Sequence, residues 1–282
     1  MEITSRLKAV NDKGWKMGFA NLFHEANESW WHTKKWLVQS IVWLFLMNII
    51  IAGIWKVSSE IMPGVLVSLR NMASMMDLVM HPFGNSLVTY FIICQLGLPM
   101  AAIIAGQDAF IGERQSGTAA WVLSKPVSRA AFILSKLAAS SIGLFVTGVL
   151  IQGVGVYAQL SSRTGSLWPI AGFMGAMGML FLNVLFYLTL SYMLGAFFTN
   201  RGAVLGISLA AALGGPLMLR GLPIIKELTP WGFFYNTGNE MPQGLALALG
   251  QPLVSYLPIL GTALMCLLFT AVTLWRFRRE EF

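Results

Sequence analysis

Six long stretches of this 282-residue chain contain no Asp, Glu, Lys, Arg or His: Trp36–Trp55, Ser86–Gln107, Leu137–Leu160, Ile170–Phe198, Gly202–Leu219 and Leu253–Trp275. About 20 apolar residues in an α-helix cross the hydrocarbon of a bilayer. No water is present there to satisfy the backbone, so a spanning segment has to close its own hydrogen bonds as a helix. The expectation is an all-α membrane protein with six transmembrane helices. Hydrophobic residues are 56% of the chain and charged residues 11%, where a soluble domain carries about a quarter charged residues. The fourth stretch is overlong, so part of it is expected to tilt or leave the core. The fifth is the shortest, and Gly214-Gly215-Pro216 is expected to break or kink it near its outer end.

The flanks set the orientation. With the N-terminus inside, fourteen of the 19 Lys and Arg residues fall in cytoplasmic segments. The other five are Lys56, Arg70, Arg163, Arg220 and Lys226. An excess of basic residues marks the cytoplasmic side, so both termini are expected there. The net charge of +7 then belongs to span flanks and calls for no nucleic acid partner. Trp36, Trp55, Trp168, Trp231 and Trp275 fall near span ends, as an aromatic belt requires.

Residues 1–35 form a polar cytoplasmic N-terminus with no short apolar core before a small-residue cleavage site, so the first span is expected to be an uncleaved anchor. Within it, Gly14–Lys35 mixes Trp15, Phe19, Leu22, Phe23, Trp30 and Trp31 with Lys16, Glu25, Glu28 and Lys34, the pattern of a helix lying in the inner headgroup layer. Residues 36–275 make the membrane domain and 276–282 a short cytoplasmic tail. Inside the membrane domain, 108–136 is a cytoplasmic segment. The outer segment 220–252 is apolar but interrupted by Pro223, Pro230, Gly238, Pro242 and Gly250. It reads as short or re-entrant helices under protein cover. Gly202 and Gly206, with Ala171/Gly175 and Gly172/Ala176, are spaced for close helix packing.

Much chemistry is excluded. There is no G-x-x-x-x-G-K-[ST], so the chain cannot cradle nucleotide phosphates in a P-loop. All three histidines lie outside the spans, which argues against an intramembrane protease. No span holds an ionisable relay of the kind proton-coupled carriers use, so any transport draws its energy from a partner. Cys94 and Cys266 lie within spans and read as small hydrophobes. His24, Glu28 and His32 share a helix face, but the second histidine of H-E-x-x-H is absent. Met72, Met75, Met76, Met80 and His81 cluster on the expected outer side. Thioethers suit Cu(I), yet the spacing equally fits an amphipathic helix packed on the membrane. No metal site and no catalytic residue is assigned. Asn48, Gln95, Asn183 and Tyr192, with Gln39 and Gln152, are polar at membrane depth. The first four are the candidate substrate-path residues, and bonds between helices are the plainer role for each.

One charged segment stands apart: Asp108-Ala-Phe-Ile-Gly-Glu113-Arg114-Gln-Ser-Gly117-Thr118, continuing to Leu123-Ser-Lys125-Pro126-Val-Ser-Arg129. A helix over Ile111–Leu123 would have a charged and an apolar side, and Pro126 would stop it. Gly117 offers a turn or a close backbone approach.

The string Gly112-Glu113-Arg114-Gln-Ser-Gly117-Thr118, followed by Leu123-Ser-Lys-Pro126-Val-Ser-Arg129, resembles the ABC-2 type permease family, the membrane subunits of ATP-binding-cassette transporters. That family carries E-R-x-x-G-T after the second span and then L-S-x-P-V-S-R. Phe198-Thr-Asn-Arg-Gly-Ala203 is similar to its inner turn between spans four and five. Gly18–Phe23 and Trp30-Trp31 are similar to one bacterial subgroup. The resemblance extends over the whole layout. It implies a permease subunit in the bacterial inner membrane, paired with a second copy and docked on a separate ATP-binding subunit that holds ATP and Mg. Gly112, Glu113, Arg114, Gly117, Thr118, Pro126 and Arg129 would couple to that ATPase, and the complex would export its substrate. Two rivals are a metal or cofactor maturation complex that passes ATP-driven motion to a periplasmic partner, and a membrane scaffold without transport.

Overall fold

The computed structural model describes residues 13–57, 59, 82–107, 109–165, 167–218, 223–234 and 241–279. The Met72–His81 cluster, Asp108 and Gly238 lie outside the described residues. All regular structure among the described residues is helical. A 3-10 turn, Gly14–Lys16, leads into α1, Phe19–Trp31. The first span is α2, Lys35–Lys56, and the second is α3, Pro82–Gln107. Two short helices follow, α4, Ile111–Gln115, and α5, Thr118–Leu123. The third span begins as α6, Arg129–Leu144, passes through π-helical Phe145–Leu150 and ends as α7, Ile151–Thr164. Then come α8, Ile170–Phe197, and α9, Arg201–Met218. The short α10, Pro223–Leu228, a 3-10 turn Pro230–Gly232 and α11, Gln243–Ala248, precede the last span α12, Leu257–Arg278.

A helix that is apolar all round has no face to show water and is buried. That describes α8, which lies along α3 and α12 at the centre of the bundle. Within the chain, 67% of its apolar window is buried, against 17% for α2. Its 28 residues extend about 42 Å at 1.5 Å per residue, longer than a hydrocarbon core of about 30 Å. The first span is peripheral, with Phe45 and Ile49 60% and 65% exposed.

α3 carries a proline in its middle, Pro99, which has no N–H to donate to the carbonyl four residues back. That carbonyl belongs to Gln95. It accepts instead from Asn183 Nδ2 of α8 at 3.1 Å, so the missing rung is replaced from the neighbouring helix, as a chain in hydrocarbon requires.

Several sequence expectations are refined. Five helices among the described residues are long and apolar enough to cross a membrane, and the remaining expected span is a shorter apolar helix. That helix, α9, has 18 residues and a length of about 27 Å. It is not broken at Gly214-Gly215-Pro216 but continues to Met218. Gly215 serves packing here. A Cβ on Gly215 would overlap the indole of Trp231, and Trp231 is 9% exposed, inside the protein and not in an interfacial belt. The last span starts at Leu257, with a proline in its first turn, where the absent N–H costs nothing. It takes in Arg276 and Arg278, so the helix runs into the expected tail. The Gly202/Gly206 pair does not form a packing seam within the chain, since a Cβ on Gly206 would meet nothing within 4 Å. The small residues of α8 do form one, against α11: a Cβ on Gly175 would lie 2.7 Å from Leu247 Cδ2.

At this far end the expected short helices close over the bundle. Gln95 Nε2 donates to the carbonyls of Pro230 and Trp231, each at 3.0 Å. Trp231 Nε1 donates to Tyr187 Oη at 2.6 Å, and Trp168 Nε1 to the Ala248 carbonyl at 2.7 Å.

Candidate functional site

The other end of the bundle gathers α1, the loop-side ends of the spans and the charged segment. The single helix expected over Ile111–Leu123 is two, because the chain turns at Ser116-Gly117. Gly117 sits at φ 72° and is the N-cap of α5. A Cβ there would meet nothing within 4 Å, so the left-handed backbone, not space, is what selects glycine. The turn is closed by Ser116 N–H donating to the Gly112 carbonyl at 3.0 Å and Trp121 N–H to the Gly117 carbonyl at 3.1 Å. The hydroxyls of Ser116 and Thr118 lie 2.8 Å apart. Gln115, Ser116, Gly117 and Thr118 are all exposed. So is Trp121, at 62%, with Lys125 Nζ 3.4 Å above its ring centroid.

The opposite side of the segment is welded to the bundle. Phe110 and Ile111 are each 1% exposed and Ala119 2%. The Phe110 ring meets Tyr192 of α8 edge-on at 4.9 Å and Phe277 of α12 at 4.7 Å, and Phe132 of α6 adjoins both phenylalanines. Glu113 forms an ion pair with Lys136 of α6. Lys136 also donates to the Ala109 carbonyl at 3.3 Å. With their side chains 29% and 20% exposed, the two charges are held in a half-buried setting where they are screened less than a surface pair.

The Leu123–Arg129 string forms the joint between this segment and three other elements. Val127 N–H donates to the Lys125 carbonyl at 2.7 Å across Pro126, and that tight turn ends α5. Ser128 caps α6, its Oγ accepting from Ala131 N–H at 2.9 Å. The same hydroxyl donates to the Trp15 carbonyl at 2.6 Å, and its amide donates to the Met17 carbonyl at 3.0 Å. Arg129 Nη1 donates to the carbonyls of Phe277 and Arg278, each at 3.0 Å. Those are among the last carbonyls of α12, left without intrahelical partners and at the negative end of its dipole. α1 in turn lies along α6. A Cβ on Gly143 would overlap the Trp30 indole, so the missing side chain is what allows that close approach.

Of the sequence-assigned coupling residues, Gly112 to Thr118 fall together on the α4–α5 turn, while Pro126 and Arg129 belong to the joint. The four polar residues at membrane depth do not converge. Gln95 and Asn183, 4% and 1% exposed, meet each other and the far-end turn. Asn48 Nδ2 donates to the Leu44 carbonyl of its own helix at 2.7 Å, and the Asn48 backbone carbonyl accepts from Gln159 Nε2 at 3.2 Å. Tyr192 lies at the charged end, its hydroxyl 3.2 Å from that of Ser140. The joint residues Phe110, Lys136 and Phe277 were not singled out from the sequence. Lys136 had a weak signal there, as the last base before the third apolar stretch; the two phenylalanines had none. His24 and Glu28 pair at 3.1 Å, and no group of three or more metal-ligating side chains occurs among the described residues.

Comparison with known proteins bears on this arrangement over nearly its whole length. The family model described as ABC-2 family transporter protein matches residues 22–282. No curated protein matches the chain.

Proposed function

The chain belongs to the ABC-2 family of transporter proteins, and from that premise we propose that it is the permease subunit of an exporter in the bacterial inner membrane. It would work as a homodimer, each copy docked on a separate ATP-binding subunit that binds ATP and Mg. The α4–α5 turn would enter that subunit and act as the coupling element. One observation carries this reading: the segment is joined on its inner side to α6, α8 and α12 while Gln115–Thr118 and Trp121 stand exposed. A push on the turn would therefore reach three spans as a rigid-body displacement, the usual form of such transitions.

The same contacts support six crossings with both termini cytoplasmic. Trp15 and Phe277 are tied to the two neighbours Ser128 and Arg129, so the first span begins at the end where the last one finishes. An even number of crossings follows, and α9 supplies the sixth.

The test separates docking from anchoring. Trp121→Ala removes an exposed aromatic anchor of the kind that dominates interface energies at about 2 kcal/mol or more, roughly 30-fold in affinity. It is expected to reduce co-purification of the ATPase without lowering the permease's thermal stability. Glu113→Ala, which breaks the pair to Lys136, is expected to leave the ATPase bound but its hydrolysis uncoupled from transport. Full retention and full coupling in both variants, and in Arg114→Ala, would refute the coupling role.

A further inference from the structure

A cavity of about 860 Å³ opens at the charged end, between α1, α2, α3, α4 and α6. Its rim carries Glu25 and Lys34 from the α1–α2 corner, Glu113 from α4 and Lys136 from α6. Toward the spans its wall has no charged residue: Val38 of α2, Ile104 and Ala105 of α3 and Ala139 of α6 lie there with the neutral polar Gln39, Ser140 and Tyr192. Lys34 to Val38, and Lys136 to Ala139, is about one helical turn, or roughly 5 Å. Full charge thus gives way to a neutral, largely apolar wall over the depth at which a leaflet passes from headgroup to acyl chain. The apolar side is also open laterally, since Val38 and Ile104 are 53% and 61% exposed.

The rim has two acids and two bases, and it holds a specific deficit. Glu113 Oε1 takes Lys136, but Glu113 Oε2 and Gln107 Oε1 are buried with no hydrogen-bond partner, and both residues line this cavity. Two unmet acceptors ask for one donor group with several N–H bonds, which is what a primary ammonium is. Lys34 across the rim is left for an anion.

We propose that this cavity holds the headgroup of an ethanolamine-type phospholipid from the adjoining leaflet. The ammonium sits between Gln107 and Glu113, the phosphate lies toward Lys34, and the acyl chains leave between α2 and α3. The site goes beyond the transport reading, and its test reads lipid binding alone.

The full chain, purified in mild detergent, is offered equal amounts of phosphatidylethanolamine, phosphatidylcholine and phosphatidylglycerol and examined by native mass spectrometry. One phosphatidylethanolamine per chain is expected to be retained roughly tenfold over phosphatidylcholine, whose trimethylammonium has no N–H to give. Chain-free phosphoethanolamine is not expected to displace it. Gln107→Leu removes one neutral acceptor, so the chain should still fold while the tenfold preference falls to a few-fold at most, Glu113 remaining. Ala105→Phe fills the apolar side and should abolish retention of all three lipids. Equal retention of the three lipids, a preference for phosphatidylglycerol, or an ethanolamine preference unchanged in Gln107→Leu would each overturn the site.

Discussion

Asn183 and Pro99 are 84 positions apart in the sequence, yet the structure makes them two halves of one solution. Pro99 leaves the Gln95 carbonyl without its helical donor, and Asn183 supplies one at 3.1 Å. The pairing gives a sharp expectation. Asn183→Leu should destabilise the folded chain by about 0.6–1.7 kcal/mol, the range for hydrogen bonds between membrane helices. In a Pro99→Ala background the backbone N–H is restored, and the same substitution should become nearly neutral. A double-mutant cycle on unfolding in detergent measures this directly; equal penalties in the two backgrounds would show that the amide does not replace the lost rung. The sequence marked Asn183 as a polar group at depth, and bonding between helices was the plainer role for it. Its partner could not be read, because polarity says that a bond is needed and only the helix packing says with what.

At the scale of elements, the charged segment reads differently from its parts. Its residue types predicted an exposed amphipathic helix. The glycine at φ 72° divides it into two, so that a turn, with Gln115–Thr118 all exposed, stands where a continuous helix face was expected. After it, some of the polar residues that the family resemblance assigned to the partner also make contacts within the chain. Arg129 is the clearest case, since its guanidinium caps the end of α12. Replacing it with Gln should weaken that helix end by about 1–2 kcal/mol. Faster hydrogen exchange at the amides of residues 276–279 is the expected sign. Arg129→Lys should recover part of the protection, as a point charge that keeps the dipole interaction but loses the forked geometry. No change in exchange for Arg129→Gln would show that the cap contributes nothing to the helix end.

At the scale of the molecule, the two ends of the bundle are chemically distinct. One carries the charged turn, α1 and both chain ends of the bundle. The other is closed by α10, α11 and the Trp231 turn. If the basic end faces the cytoplasm, as proposed above, a membrane-impermeant thiol reagent should label Ser116→Cys only after the cell is opened. Gln251→Cys, exposed at the far end, should label in intact cells. The reverse pattern would invert the protein in the membrane.

Membrane residence, helical class and the approximate spans were determined by the sequence alone. The physical reason is that hydrocarbon permits no unpaired backbone, so composition along about 20 residues decides the matter locally. The place of the charged segment between the second and third spans was equally legible, because charge stands out against an apolar chain. The tertiary structure decided the rest. It set the central position of α8, the burial of Trp231 against Gly215, the Phe110–Tyr192–Phe277 joint and the division of the charged segment into an exposed turn and an anchored base. In hydrocarbon every apolar side chain is equally at home against lipid or protein. The pattern of hydrophobicity therefore cannot say which helix meets which, and close packing and hydrogen bonding between particular residues settle it.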